Sequence, residues 1–374
     1  LKLRSSYGVV GSDAGIPNNI QTAYVNRVNG VFGRDPASVT TSEVLDMVID
    51  YGLHWEEERQ FDLGLDFRAL NNRLTLEFDY YIKTTANILT NITLPGISGS
   101  TYSPLSNIAK ARNTGIEFNI GWRENRGDFS YDLSLIGTTL KNKVVSVNQN
   151  LPPLENGANV TKVGYPIGGF WGYEVLGIYQ NKQIIEETAS IDGATPGDLW
   201  YKDQNGDGVI DANDRTSLGY PTVPEILYGF GASVNYKRWD FSFFFQGTAR
   251  VSLRMYDMHP FRDNQYSGFN MTQYVADDHW SEADPNPNAA YPRLDYRYNA
   301  NNTQTSSFWI KNGSYLRLKS VELGFTYKSL RAYLAGTNLF IISPFKYWDP
   351  EMGSGNGLKY PLQRVVKLGL QYNF

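Results

Sequence analysis

The chain ends on R-V-V-K-L-G-L-Q-Y-N-F, and no other stretch constrains the fold as tightly. Val366, Leu368, Leu370, Tyr372 and the terminal Phe374 fall on one face of an extended strand, with Val365, Lys367, Gly369, Gln371 and Asn373 on the other. A soluble core strand rarely stops on an aromatic, whereas barrel strands end at a membrane interface flanked by aromatic girdles. The same two-residue period recurs upstream. Phe61, Leu63, Leu65 and Phe67 alternate with Asp62, Gly64, Asp66 and Arg68; Leu74, Leu76, Phe78, Tyr80 and Ile82 alternate with Thr75, Glu77, Asp79, Tyr81 and Lys83. The face opposite the apolar one carries charge, so it is wet, and the pattern predicts an all-β, transmembrane antiparallel barrel in contact with the lipid bilayer of a Gram-negative outer membrane. A secreted β-sandwich or β-solenoid is the alternative, but sandwiches rarely combine such tight turns with such long loops.

Composition agrees with strands rather than helices as the spanning elements. Hydrophobic residues make up 41% and mean hydropathy is -0.40, with no apolar run of the roughly 20 residues a spanning helix needs. Aromatic residues make up 14%, which suits interfacial girdles, and the absence of cysteine excludes disulfides and thiol chemistry. The net charge of -4 is spread without long basic runs, so no nucleic acid partner is expected.

In chain order, tight turns at Asn71-Asn72, N-R-G (125–127), Lys237-Arg238 and Lys328-Ser329 close four hairpins, while long loops separate one hairpin from the next. That alternation places all short turns in the periplasm and the loops outside. About ten strands are expected, including one from Arg331 to Ile341, together with a short helix-like segment at 44–49. Residue 1 already lies inside an alternating strand, so an even number of strands and a plug are expected before it.

The loops carry further motifs: GYPIGGFWGYEVLGIYQN (164–181), PGDLWYKDQNGDGVIDANDRTSLGYPTVPEILYGF (196–230), HWSEADPNPNAAYPRL (279–294), SFWIKNGSYLRLKSVELGFTY (307–327), LAGTNLF (334–340) and YPLQRVVKLGLQYNF (360–374). In this order they resemble the C-terminal part of the SusC/RagA family of TonB-dependent outer-membrane transporters of Bacteroidota. The resemblance implies part of a large plugged barrel that works with a SusD-like surface lipoprotein. It also implies import of oligosaccharide or peptide driven through the TonB complex, which would be engaged by a region outside this chain. Oligosaccharide is the cargo expected first. A passive porin or a surface calcium-dependent glycan-binding protein would be the alternatives.

No catalytic constellation stands out, and no enzyme is expected. The histidines His54, His259 and His279 are far apart, and the glycine cluster at 353–357 lacks the strand and helix context of a phosphate cradle. Loop aromatics could stack on the apolar faces of sugar rings, and Trp171, Tyr173, Trp200, Tyr201, Trp280 and Trp348 are the candidates. Packing of the loops is their competing role. The sharpest motif is D-Q-N-G-D-G-V-I-D-A-N-D (203–214), with oxygen donors at positions 1, 3, 5, 9 and 12 and glycine at position 6 of a calcium loop. It predicts a structural Ca2+ held by Asp203, Asn205, Asp207, the carbonyl of Val209, Asp211 and Asp214. Aspartate replaces the usual glutamate at position 12, and a metal-free Asx-rich turn is the alternative.

Overall fold

A computed structural model describes residues 1–13, 25–31, 39–45, 50, 52–92, 104–147, 154–258, 260–261, 270–295 and 298–374. Ten strands follow one another in a single antiparallel path: β1 (Lys2–Ser12), β2 (Glu56–Ala69), β3 (Leu74–Asn91), β4 (Leu105–Arg126), β5 (Phe129–Val147), β6 (Ile226–Tyr236), β7 (Trp239–Ala249), β8 (Tyr315–Tyr327), β9 (Leu330–Thr337) and β10 (Val365–Tyr372). Every strand pairs with its sequence neighbour, as an up-and-down wall requires.

The tight turns lie along one edge and are linked to the strands beside them. Arg123 N donates to Arg73 O at 2.8 Å, Lys237 N to Asp128 O at 3.1 Å, Thr326 N to Arg238 O at 2.8 Å and Asn373 N to Ser329 O at 2.8 Å. Left-handed backbone at Asn71, Asn72, Gly127, Lys237 and Lys328 lets these reversals follow the strand twist.

Register sorts the faces as the alternation demands. Leu63, Leu133, Phe241, Leu323, Leu334 and Leu368 share the convex face and are exposed, an apolar surface that only lipid can cover. Near the turn edge this face carries Tyr236, Trp239, Phe325, Tyr327, Tyr372 and Phe374, with Trp239 on Phe325 at 4.8 Å and Tyr372 on Phe374 at 5.2 Å. That row is the expected interfacial girdle. No helix among the described residues is long and apolar enough to cross a membrane.

Two expectations are corrected or bounded, and three strands are unusually long. The strand expected to reach Ile341 stops at Thr337; Asn338 turns with positive φ, and Ile341–Ile342 pairs separately with Leu316 and Arg317. β3, β4 and β5 are 18, 22 and 19 residues long, well beyond the roughly 10 that cross a bilayer. Of the helix-like segment at 44–49, Val44 and Leu45 belong to a strand, Val39–Leu45, paired with Val25–Val31; the remainder lies outside the described residues.

A charge on the convex face near mid-strand should abolish insertion, and Phe243→Arg is the direct case. It should cost about 2 to 4 kcal/mol at the bilayer midplane, with a smaller penalty for Leu370→Arg near a strand end. Heat-modifiable migration of the full-length receptor should show loss of folded barrel for Phe243→Arg. Arginine at lumen-facing Gln371 should be tolerated, and equal behaviour of the two would overturn the register.

Candidate functional site

The concave face holds its charges in cross-strand ties. Arg4 of β1 donates to Asp66 of β2 at 2.8 Å and lies 3.0 Å from Asp79 of β3, joining three strands through one guanidinium. Arg331 of β9 does the same with Asp240 of β7 and Glu322 of β8. Lys83 pairs with Glu58 at 2.7 Å on the same face, and at the turn edge Arg73 pairs with the largely buried Glu124 at 2.9 Å. A hollow of about 680 Å3 opens on this face, lined by Asn72, Arg73, Asn119, Arg123, Ser134 and Ser233 among others. Its lining mixes these polar groups with Trp122, Leu133, Phe243 and Phe244, and its one carboxylate, Asp132, is engaged by Arg123 rather than poised as acid or base.

Beyond the sheet, the long connections fold into a cap of their own. Small sheets join Val175–Ile178 to Leu199–Tyr201 and Ser252–Arg254 to Ile310–Asn312. Three apolar clusters fill it, one around Tyr173, Ile178, Leu199, Tyr201, Ile210 and Trp280, a second around Leu253, Met255, Val275, Tyr291, Trp309 and Phe345, and a small third of Phe170, Leu218 and Ile310. Between the two connections sits a buried anion. Asp198, 1% exposed, accepts from Arg293 Nε at 2.7 Å, Asn299 Nδ2 at 2.8 Å, Asn302 Nδ2 at 3.0 Å and its own neighbour Thr195 N at 2.9 Å. Sequence reasoning missed this node, because its members are about a hundred residues apart. The P-G-D motif was its only local sign.

Of the six aromatic candidates, three are interior. Tyr173, Tyr201 and Trp280 lie in the first cluster; the Tyr201 hydroxyl donates to Asn301 O, and the Trp280 indole donates to Gln180 Oε1 at 3.1 Å. Burial pushes the Tyr201 phenol well above its ordinary pKa. Gly197, at φ 90°, underlies the Trp280 ring so closely that a Cβ would come within 2.2 Å of it, which is why the motif carries glycine there. These three rings pack the cap and offer no free face for stacking. Trp171, Trp200 and Trp348 are half-buried: Trp171 meets Tyr165 and Lys162, Trp200 stacks on Tyr179, and Trp348 packs on Phe345.

The loop 203–214 is wound on its own side chains. Asp203 accepts from Gly206 N at 2.6 Å and Gly208 N at 2.8 Å, Asn205 from Asp207 N at 3.0 Å, and Asp207 from Val209 N at 2.9 Å. Gly208 takes φ 84°, the sharp reversal expected at position 6. Asp214 is fully buried, its two oxygens receiving Gln204 N and Asp211 N at 2.8 Å each. Asp211 in turn caps Asn213 N at 2.7 Å. The N–H groups of Gly208, Gly206 and Asp207, with the nearby Asp214 carboxyl, hold Asp203 below the usual carboxylate range. Ile210 enters the first cluster, while Val209 stays exposed. No three His, Asp or Glu side chains among the described residues converge as a ready-made metal cluster. The available oxygens come from the facing Asp203 and Asp214, the side chains of Asn205 and Asp207, and the backbone.

His54 Nδ1 contacts Gly52 O at 2.8 Å and His279 Nδ1 contacts Ala276 O at 2.9 Å, both local contacts; His259 lies outside the described residues. The glycine cluster is pinned by Trp348 Nε1 donating to Gly353 O at 3.0 Å and Lys359 Nζ to Met352 O at 2.6 Å.

With this geometry in place, comparison with known proteins is informative. The family described as TonB dependent receptor-like, beta-barrel matches residues 3–339. Over its whole length the chain is similar to TonB-dependent receptor P26 of Formosa agariphila, 31% identical, and to TonB-dependent receptor SusC of Bacteroides thetaiotaomicron, 26% identical. It spans 40% and 37% of those two proteins. In fold it is similar to the RagAB peptide transporter, with TM-score 0.75 and 23% identity, over 100% of this chain and 40% of that one.

The buried Asp198 makes Arg293 the residue on which the cap should depend most. Arg293→Ala leaves that charge unpaired and should cost about 3 to 5 kcal/mol. Limited proteolysis of the full-length receptor should show cleavage in the cap while the barrel stays protected. Wild-type resistance of the variant would refute the role.

Proposed function

Since the chain belongs to the TonB-dependent receptor-like β-barrel family and is thereby an outer-membrane protein, we propose that it forms part of the wall and extracellular cap of a SusC-like importer that takes up an oligosaccharide. The observation that carries this reading is the two-faced wall, apolar outside and tied by Arg4–Asp66–Asp79 and Arg331–Asp240–Glu322 inside, under a folded cap. A charged concave face suits hydrated cargo, and Trp171, Trp200 and Trp348 keep part of their surface for sugar faces. Peptide cargo is the second reading, supported by the likeness in fold to the RagAB peptide transporter. The plug, the remaining strands and the TonB-contacting segment belong, on this proposal, to a longer protein. A SusD-like lipoprotein would dock over the cap, whose two long connections are too well packed to be idle spacers. The test is growth on purified oligosaccharides or on peptides as sole nutrient. Uptake should vanish on deletion of the receptor or of TonB, and the tagged receptor should retain a surface lipoprotein in mild detergent. Uptake that persists without TonB would indicate a porin instead.

For the loop 203–214 the proposal is a structural Ca2+. Asp203, Asn205, Asp207 and the Val209 carbonyl would supply oxygens, with Asp214 behind them and Asp211 direct or through water. Support comes from the oxygens of Asp203, Asn205, Asp207 and Asp214 gathered on one short loop, and from the reversal at Gly208. The backbone bonds to Asp214 leave a free lone pair on each of its oxygens. Extracellular calcium sites are as weak as about 10⁻⁴ to 10⁻³ M, so millimolar calcium is the relevant condition. Calorimetry should detect binding that Asp207→Ala weakens at least tenfold without unfolding the barrel. No heat of binding in the wild type would leave the loop as an Asx-rich turn.

A further inference from the structure

Across β3, β4 and β5 the outward positions form rows, beginning at the turn edge with Leu74, Trp122 and Leu133. The rows stay largely apolar for four steps and then change character. Ile82 and Thr114 are followed across the sheet by Lys141, and in the next row Thr84 is followed by Arg112 and Lys143. These two rows lie eight and ten residues from Leu74 along β3. A tilted spanning strand has about 9 to 11 residues, so the cations stand at the distal membrane interface. Arg112, Lys141 and Lys143 are exposed on the convex face, and none takes part in an ion pair among the described residues.

Like charges directly across a ladder repel, and Arg112 and Lys143 are direct partners across the β4–β5 ladder. Their Cα atoms are about 5 Å apart and Lys141 is about 7 Å further along the strand, so three cationic heads can converge on one anion. The neighbouring charges do not supply it. Arg59, on the same face beyond Thr84, is already paired with Glu57; Glu225, beside the top of β5, pairs with Arg250 at 3.7 Å; and Lys110 adds further positive charge.

We propose that Arg112, Lys141 and Lys143 bind the phosphate of a phosphorylated glycolipid in the outer leaflet. The depth of the cluster matches the headgroup level, its outward direction rules out the lumen, and guanidinium and ammonium groups are the natural donors to phosphate. The inference uses the membrane placement but neither the cargo nor TonB coupling, so it stands or falls separately from the import reading.

The experiment uses the full-length receptor extracted from its own outer membrane in mild detergent, with co-purifying lipopolysaccharide measured by mass spectrometry. The triple variant Arg112→Gln, Lys141→Gln, Lys143→Gln should retain at least fivefold less, while Lys237→Gln with Lys328→Gln at the opposite edge should match wild type. Delipidated wild type should rebind lipid A but not enzymatically dephosphorylated lipid A, and millimolar inorganic phosphate should not displace it. Equal retention by the triple variant, or equal binding of dephosphorylated lipid, overturns the proposal. Displacement by free phosphate overturns the lipid as ligand. Should the triple variant fail to assemble, Lys143→Gln and the dephosphorylated-lipid comparison with wild type give the same decision.

Discussion

Hydrocarbon offers no partner to a backbone amide, and everything in this structure follows from meeting that demand with strands. Each of β2 to β9 is paired on both sides with its sequence neighbours, whereas among the described residues β1 and β10 are paired on one side only. An unpaired edge of this kind is costly in lipid. The ladder also fixes which side chains meet lipid. A one-residue slip would put Asp66 and Asp79 into hydrocarbon and the leucines into the passage, so the register is enforced by both faces at once.

The ion ties on the concave face complement this arrangement. Arg4 and Arg331 each hold two carboxylates on neighbouring strands, and at the top of β8 the buried Arg317 reaches Glu351 at 2.8 Å and also pairs with Asp349, fastening the wall to the last extracellular connection. The cap is therefore continuous with the barrel wall. Within it the buried Asp198, held by the partly exposed Arg293, ties distant connections together.

Much of the wall could be read from sequence because lipid imposes a strict period of two, and the tight turns supply their own local chemistry. Phe61 to Phe67, Leu74 to Ile82 and Val366 to Phe374 announced themselves in this way. The outer halves of β3, β4 and β5 did not, since segments such as Lys83-Thr84-Thr85 and Asn107 to Ala111 face water or the cap and lose the alternation. The candidate site was less legible. Motif aromatics such as Tyr173 and Trp280 look the same whether they stack on sugar or on one another, and only burial separates the two roles. The loop at 203–214 showed its oxygens but not that Asp214 spends two bonds on backbone amides.

The unusual length of β4 has a consequence for the cell surface. The strand runs from Leu105 to Arg126, and the seven residues from Leu105 to Ala111 lie past the Arg112 row, about 23 Å of strand at about 3.3 Å each beyond the bilayer. Even tilted by about 45°, that is a rise of about 16 Å. The sheet therefore continues past the headgroups as a raised rim, and the connections that leave β4 and β5 start above the membrane plane rather than within it.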